Sequence, residues 1–175
     1  TAVGPMLTRD QLRTLFEYNL WANARILGAS EALTAEQFTR PLGSSFGSVR
    51  DTLAHLHGAG WLWDERFKGR RPATLPPASR FASLSEVRAA LSAMDRYYLE
   101  MVAAMPTEEL ARVIDYVNLT GEACTDPVWL VLHQLSNHAT YHRGQVATLL
   151  RQLGAPGVST DLIRFYHARQ AEDRR

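Results

Sequence analysis

The chain has only one cysteine, Cys124, among its 175 residues. No internal disulfide can form, and a reducing, cytoplasmic setting is expected. Excess charge is also lacking: 19 Lys and Arg face 18 Asp and Glu, for a formal net charge of +1. There is no run of five like charges. Binding to nucleic acid through counterion release needs a basic stripe, so no nucleic acid is expected as a partner. Long hydrophobic runs are missing too. Val128-Trp129-Leu130-Val131-Leu132 is typical of the longest, well short of the ~20 apolar residues of a membrane span. No membrane association and no signal peptide are expected, since the first residues carry no basic patch followed by an apolar stretch. With 11 Gly and 8 Pro the chain is not of low complexity, and 46% hydrophobic residues set it apart from disordered chains.

What is present is helical periodicity over a length suited to one domain, residues 1–175, with 1–7 as a loose lead-in and 171–175 as a frayed tail. Thr8-Arg9-Asp10-Gln11 has the form of a capping box, with Leu7 and Leu12 placed as a hydrophobic staple, and opens a helix to about Ala32. Thr34 to Gln37 repeats the box before Pro41. Ser48 leads into a helix reaching Phe67, after a loop at Gly43-Ser44-Ser45-Phe46-Gly47. The Pro-rich stretch from Lys68 to Arg80 reads as a surface connection. Ser83-Leu84-Ser85-Glu86 is a third box, opening a helix to about Met105. Val113–Val117 followed by Asn118-Leu119-Thr120-Gly121 reads as a strand and turn, with room for a small β-hairpin near 111–125. Asp126-Pro127 has the pattern of an N-cap followed by proline at the first helical position. That helix runs to Leu153 and stops at Gly154, and a short one follows from Asp161 to about Gln170. The expected fold is all-α, a four-helix bundle with a short extra C-terminal helix.

Bundle helices bury an apolar stripe, so polar residues inside that stripe are informative. At ~100° per residue, His138 and His142 share an arc with Val131, Leu132, Leu135, Ala139, Val146 and Leu149, while His133 faces the other way. Four residues apart, the two imidazoles stack and can aim at one point. Two readings stay open: core histidines bonded to nearby groups, or ligands of one divalent cation, which would satisfy both rings at once. On the Ser48–Phe67 helix, His55 borders the buried arc, and His57 points toward the side of Arg50, Asp64 and Glu65. His55 is thus the better candidate for a third ligand, the other reading being that both are ordinary surface or boundary histidines. Asn19 and Asn23 fall on the apolar face of the first helix and need partners: site histidines, a substrate, a neighbouring helix or a water.

Three segments carry a family resemblance: Tyr18-Asn19-Leu20-Trp21-Ala22-Asn23, Ser48-Val49-Arg50-Asp51-Thr52-Leu53-Ala54-His55, and Asn137-His138-Ala139-Thr140-Tyr141-His142-Arg143-Gly144-Gln145. With Arg151-Gln152-Leu153-Gly154 and Asp161-Leu162-Ile163, the chain resembles the DinB/YfiT-like family of bacterial metal-binding four-helix bundles over nearly its whole length. By position, the resemblance implies that His55, His138 and His142 hold one divalent metal. Relatives often carry an acid soon after the first histidine, and Gly60 departs from that, which weakens a hydrolytic role built on such an acid.

Three neutral imidazoles suit Zn²⁺, Ni²⁺ or Fe²⁺ and leave a position open. The resemblance implies chemistry on a low-molecular-weight thiol, as in thiol-dependent S-transferases and a thiol-dependent isomerase, or on another small-molecule substrate; water activation as in a hydrolase is the other enzymatic form. The alternative is a non-catalytic metal-binding stress-response module. A homodimer is compatible with the family. Arg143 reads either as an anion-holding residue near the pocket or as a solvated or ion-paired helix arginine. Tyr141 and Trp21 read as boundary or rim residues, and Trp61 as exposed. Cys124 reads as a buried small residue in the turn before the last long helix. No catalytic residue is singled out.

Overall fold

The protein is described here by a computed structural model covering residues 6–174; residues 1–5 of the expected lead-in and residue 175 of the expected tail lie outside the described residues. Thr8 and Thr34 each close a reciprocal capping box, with Gln11 and Gln37 respectively, opening α1 (Arg9–Ser30) and α2 (Ala35–Thr39). Leu7 packs against the apolar cluster that contains Leu12, as a staple requires. Ser48 caps α3 (Val49–Phe67). Ser83 caps α4 (Leu84–Ala104), but its box is not reciprocal: Glu86 turns back one residue further and accepts from the Ala82 N–H at 2.7 Å.

Strands β1 (Val113–Val117) and β2 (Ala123–Pro127) form an antiparallel hairpin in which Tyr116 faces Cys124. The Asn118 carboxamide oxygen accepts from the Thr120 and Glu122 N–H groups, and Gly121 takes φ +90 in the turn. Next come α5 (Val128–Gln152) and α6 (Leu162–Glu172), which extends beyond the Gln170 expected from sequence. A Schellman motif ends α5: Ala155 N–H reaches the Leu150 carbonyl, Gly154 N–H reaches Arg151, and Gly154 sits at φ +77.

The structure departs from the sequence pattern at three residues. Asp126 does not cap α5; it lies in β2, where its carboxylate accepts from the Tyr116 hydroxyl at 2.8 Å, and Pro127 takes the cap position without a side-chain bond. Cys124 sits half-buried in β2 rather than in a turn. Trp61 is half-buried rather than exposed.

Helices α1 and α3 each pack on both α4 and α5, so the four long helices form a ring in the order α1, α4, α3, α5, and α6 lies on α1. The core divides between two ends. One apolar cluster gathers Ile26, Phe38, Leu53, Val87, Val146 and Leu150; the other gathers Leu12, Phe16, Tyr98, Leu110, Ile114 and Leu132 beside the hairpin. Among the described residues no helix is long and apolar enough to cross a membrane.

Two helical glycines predict opposite responses to alanine. Gly28 is exposed, and a Cβ added there would meet nothing within 4 Å, so Gly28→Ala should stabilise by about 0.5–1 kcal/mol through backbone entropy alone. At Gly60 the added carbon would come 2.9 Å from Met94 Cγ and 3.5 Å from Tyr98. The close α3–α4 approach should make Gly60→Ala destabilising on the order of 1 kcal/mol. Urea denaturation of both variants measures the difference in sign. A longer side chain at 60 would meet α4 in the same way.

Candidate metal centre

Helix α3 brings His55, and α5 brings His138 and His142, to one point in the α3/α5 seam. One ligand nitrogen from each lies within 4.8 Å of the others, and no Cys, Asp or Glu joins this group among the described residues. The Nε2 atoms of His55 and His138 are 2.9 Å apart. Two nitrogens on a tetrahedral Zn²⁺ at ~2.05 Å stand ~3.3 Å apart, so this pair opens by less than half an ångström to admit the ion. Burial pushes His55 and His138 down to about 4, with the neighbouring imidazoles adding to the shift, and burial also lowers His142 against an opposing bond from Gln145. All three rings are therefore neutral at pH 7, which is the ligating form. The donor set, its convergence and its protonation fit a divalent cation.

Two residues to which periodicity assigns no role complete the surroundings. Gln145 Oε1 accepts from His142 Nδ1 at 2.7 Å, and its Nε2 donates to Ser45 Oγ at 3.3 Å. The first bond puts the proton of His142 on Nδ1 and leaves Nε2 free to ligate. The second ties α5 to the loop between Gly43 (φ +70) and Gly47 (φ +76). That loop lays Phe46 flat on His55, ring centroids 4.0 Å apart at 18°, and edge-on to His142 at 5.2 Å. A cleft of about 340 Å³, lined in part by Leu42, Ser44, Tyr141, Gln145 and Leu149, opens beside Gln145. Tyr141 stands 65% exposed next to His142. Gln145→Ala should leave the helices intact and weaken metal affinity about 10–100-fold, the usual cost of a lost orienting partner, as read by competition with a chromophoric chelator.

The remaining sequence candidates go elsewhere. His133 is exposed, as expected. His57 does lie on the side of Arg50 and Asp64, seven residues from each, but that side is covered rather than peripheral: His57 is buried, edge-on to Phe81 at 5.5 Å, and more enclosed than half-buried His55. Arg143 is neither solvated nor at the pocket. It is 0% exposed on the α1 side of α5, with its guanidinium over the Tyr18 ring at 5.0 Å. It donates to the carboxamide oxygens of Asn19 and Asn23 and to Thr140 Oγ1. The amide nitrogens of Asn19 and Asn23 in turn donate to the Asp95 carboxylate at 2.9–3.1 Å. The two carboxamides bridge a buried cation to a buried anion, and none of these residues bonds to a histidine of the cluster.

Comparison with known proteins agrees with this architecture. The chain is 28% identical over 153 residues to protein DinB of Bacillus subtilis (strain 168), covering 84% of this chain and 88% of that protein. Its fold matches YfiT of Bacillus subtilis at a TM-score of 0.68 and 17% identity, covering 88% of this chain and 94% of YfiT. YfiT is described as a probable metal-dependent hydrolase with an unusual four-helix bundle topology. A DinB-like protein from Bacillus cereus matches at a TM-score of 0.64 and 17% identity, covering 89% of this chain and 100% of that one. The DinB family model matches residues 6–174, and the chain belongs to the DinB family.

Proposed function

We propose that His55, His138 and His142 hold one divalent cation and that the protein is a metal-dependent enzyme acting on a small molecule, with a low-molecular-weight thiol as the nucleophile. The observation that carries this reading is the donor set: three neutral imidazoles and no carboxylate among the grouped ligands. When bound, the cation supplies Lewis acidity enough to deprotonate a coordinated thiol or water at neutral pH. Either nucleophile gives up one proton to solvent on coordination; hydroxide keeps a second, which hydrolysis must pass to the leaving group and which usually draws on a nearby acid or base, whereas a thiolate has no second proton to move. Gln145 holds His142 in its ligating tautomer, and Phe46 stacks on the His55 ring.

A hydrolase is the second reading, favoured by the fold likeness to YfiT. Zn²⁺, Ni²⁺ and Fe²⁺ all suit such a donor set. The test is Co²⁺ substitution followed by addition of bacillithiol, mycothiol and glutathione. Sulfur-to-metal charge-transfer absorption with one of them is the expected result, and a spectrum unchanged by all three removes the thiol reading. A non-catalytic module predicts a fully coordinated cation, with d–d bands that respond to neither thiol nor azide.

A further inference from the structure

The seam that holds the histidines contains a second recess that the proposed chemistry does not use. A cavity of about 200 Å³ lies between Trp63 of α3, Tyr116 and Asp126 of the hairpin, and Leu130, Val131 and Gln134 of α5. Gln134 and Leu130 precede His138 by four and eight residues. At 1.5 Å rise per residue the recess lies ~6–12 Å along α5 from His138. At ~100° per residue, Val131 and Gln134 stay within ~40° of the His138 direction, so the recess and the histidine cluster open on the same side of the helix.

The chemistry of the walls selects the occupant. Trp63 and Tyr116 meet at 4.9 Å and 71°, a rigid aromatic corner. The Arg66 guanidinium already lies over both rings, at 4.5 and 4.6 Å, and is anchored to the Val117 carbonyl at 2.9 Å. A cationic ligand would meet that fixed charge, and an anionic one would meet Asp126, whose carboxylate already holds the Tyr116 hydroxyl. The surfaces left over are apolar, with one carboxamide at the rim. We infer that this recess is a subsite for an uncharged aryl or branched alkyl substituent of the substrate whose head group is held at His55, His138 and His142. The inference rests on the metal reading above and adds to it a substrate class: a molecule with a metal-seeking head and an apolar tail of about two helical turns' reach.

Alkyl hydroxamates, whose heads chelate the metal, provide the probe. With the Zn²⁺-loaded protein, calorimetry should give 4-phenylbutanohydroxamate an affinity at least tenfold above that of acetohydroxamate. Gln134→Trp, a change at an exposed position, fills the recess; it should abolish the tail's advantage while leaving acetohydroxamate unaffected. Equal affinities in the parent protein, or an advantage that survives Gln134→Trp, overturn the subsite. A protein that neither retains Zn²⁺ nor binds acetohydroxamate refutes the metal reading instead. In that event the metal-free protein decides the subsite by itself: 4-phenylbutanamide should shift the Trp63 indole N–H resonance, identified through Trp63→Phe, and no shift at millimolar probe refutes it.

Discussion

His142→Ala and His138→Ala should each lower divalent-metal affinity by roughly 10²–10⁴-fold, while His133→Ala should leave it unchanged. That range follows from sharing the ~10–16 kcal/mol of a high-affinity zinc site among its ligands, which gives about 3–5 kcal/mol for each. His133 lies on the same helix but faces solvent, so it controls for a general effect of deleting an imidazole from α5. His55→Ala should match the two α5 ligands, because its nitrogen comes from the opposite helix and cannot be replaced by a neighbour. His57→Ala separates ligation from burial: His57 is the more enclosed ring, and it should keep the metal but lose stability through its lost packing on Phe81. Metal content after gel filtration, with chelator competition for the affinities, gives the comparison. Equal metal content across the five variants would falsify the assignment.

The histidine pair is legible in the sequence because two polar residues one turn apart on an apolar stripe call for a common partner, and α5 is long enough for that stripe to be unambiguous. Capping chemistry places the starts of α1, α2 and α3 equally well, since a Ser or Thr side chain bonding three residues ahead is a local event. Sequence and structure part where a third element intervenes. Periodicity makes His57 peripheral because it assigns one buried face per helix, whereas α3 is covered on more: α4 and α5 take the bundle face, and the segment carrying Leu75 and Phe81 covers the side of His57. Asp126 has a good capping pattern, yet the hairpin gives its carboxylate a better partner in Tyr116. A charge beside a candidate ligand, as at Arg143, suggests an anion, while the ~100° step from His142 turns this one toward α1. Asp95 is discoverable by the rule that finds the histidines: it interrupts the buried series Val87, Leu91, Tyr98 and Val102 on α4. Phe46 gives no such signal, because a loop has no period.

The buried network of Asp95, Asn19, Asn23 and Arg143 should prove the most costly part of the bundle to break. At pH 8, Asp95→Ala should destabilise by about 3–5 kcal/mol, because it leaves a fully enclosed guanidinium and two amide donors without their anion. Replacing the whole network with apolar residues, as in Asp95→Leu and Arg143→Met together with Asn19→Leu and Asn23→Leu, should recover most of that loss, whereas changing the two charges alone leaves both buried carboxamides without partners. The pH dependence gives a sharper test. Burial pushes the Asp95 carboxyl up to about 7, against the pull of the Asn23 and Asn19 donors and the Arg143 charge. The folded protein therefore keeps a proton that the unfolded chain, with a carboxyl near 3.8, releases. Between those values the unfolded state binds fewer protons, so this group's contribution to stability falls as pH rises and levels off above about 7. The stability difference between the parent and Asp95→Asn should accordingly widen on acidification from pH 7 toward 4, by on the order of 1 kcal/mol per unit. The histidines add an opposite slope to both proteins, and taking the difference cancels it. A conventional ion-paired aspartate, with its carboxyl held below the unfolded value, would leave the difference flat between pH 8 and pH 5 and shrink it only below about 4. A difference that widens at pH 5 in urea titration therefore shows that burial governs this carboxylate, and an unchanged one shows that the arginine does.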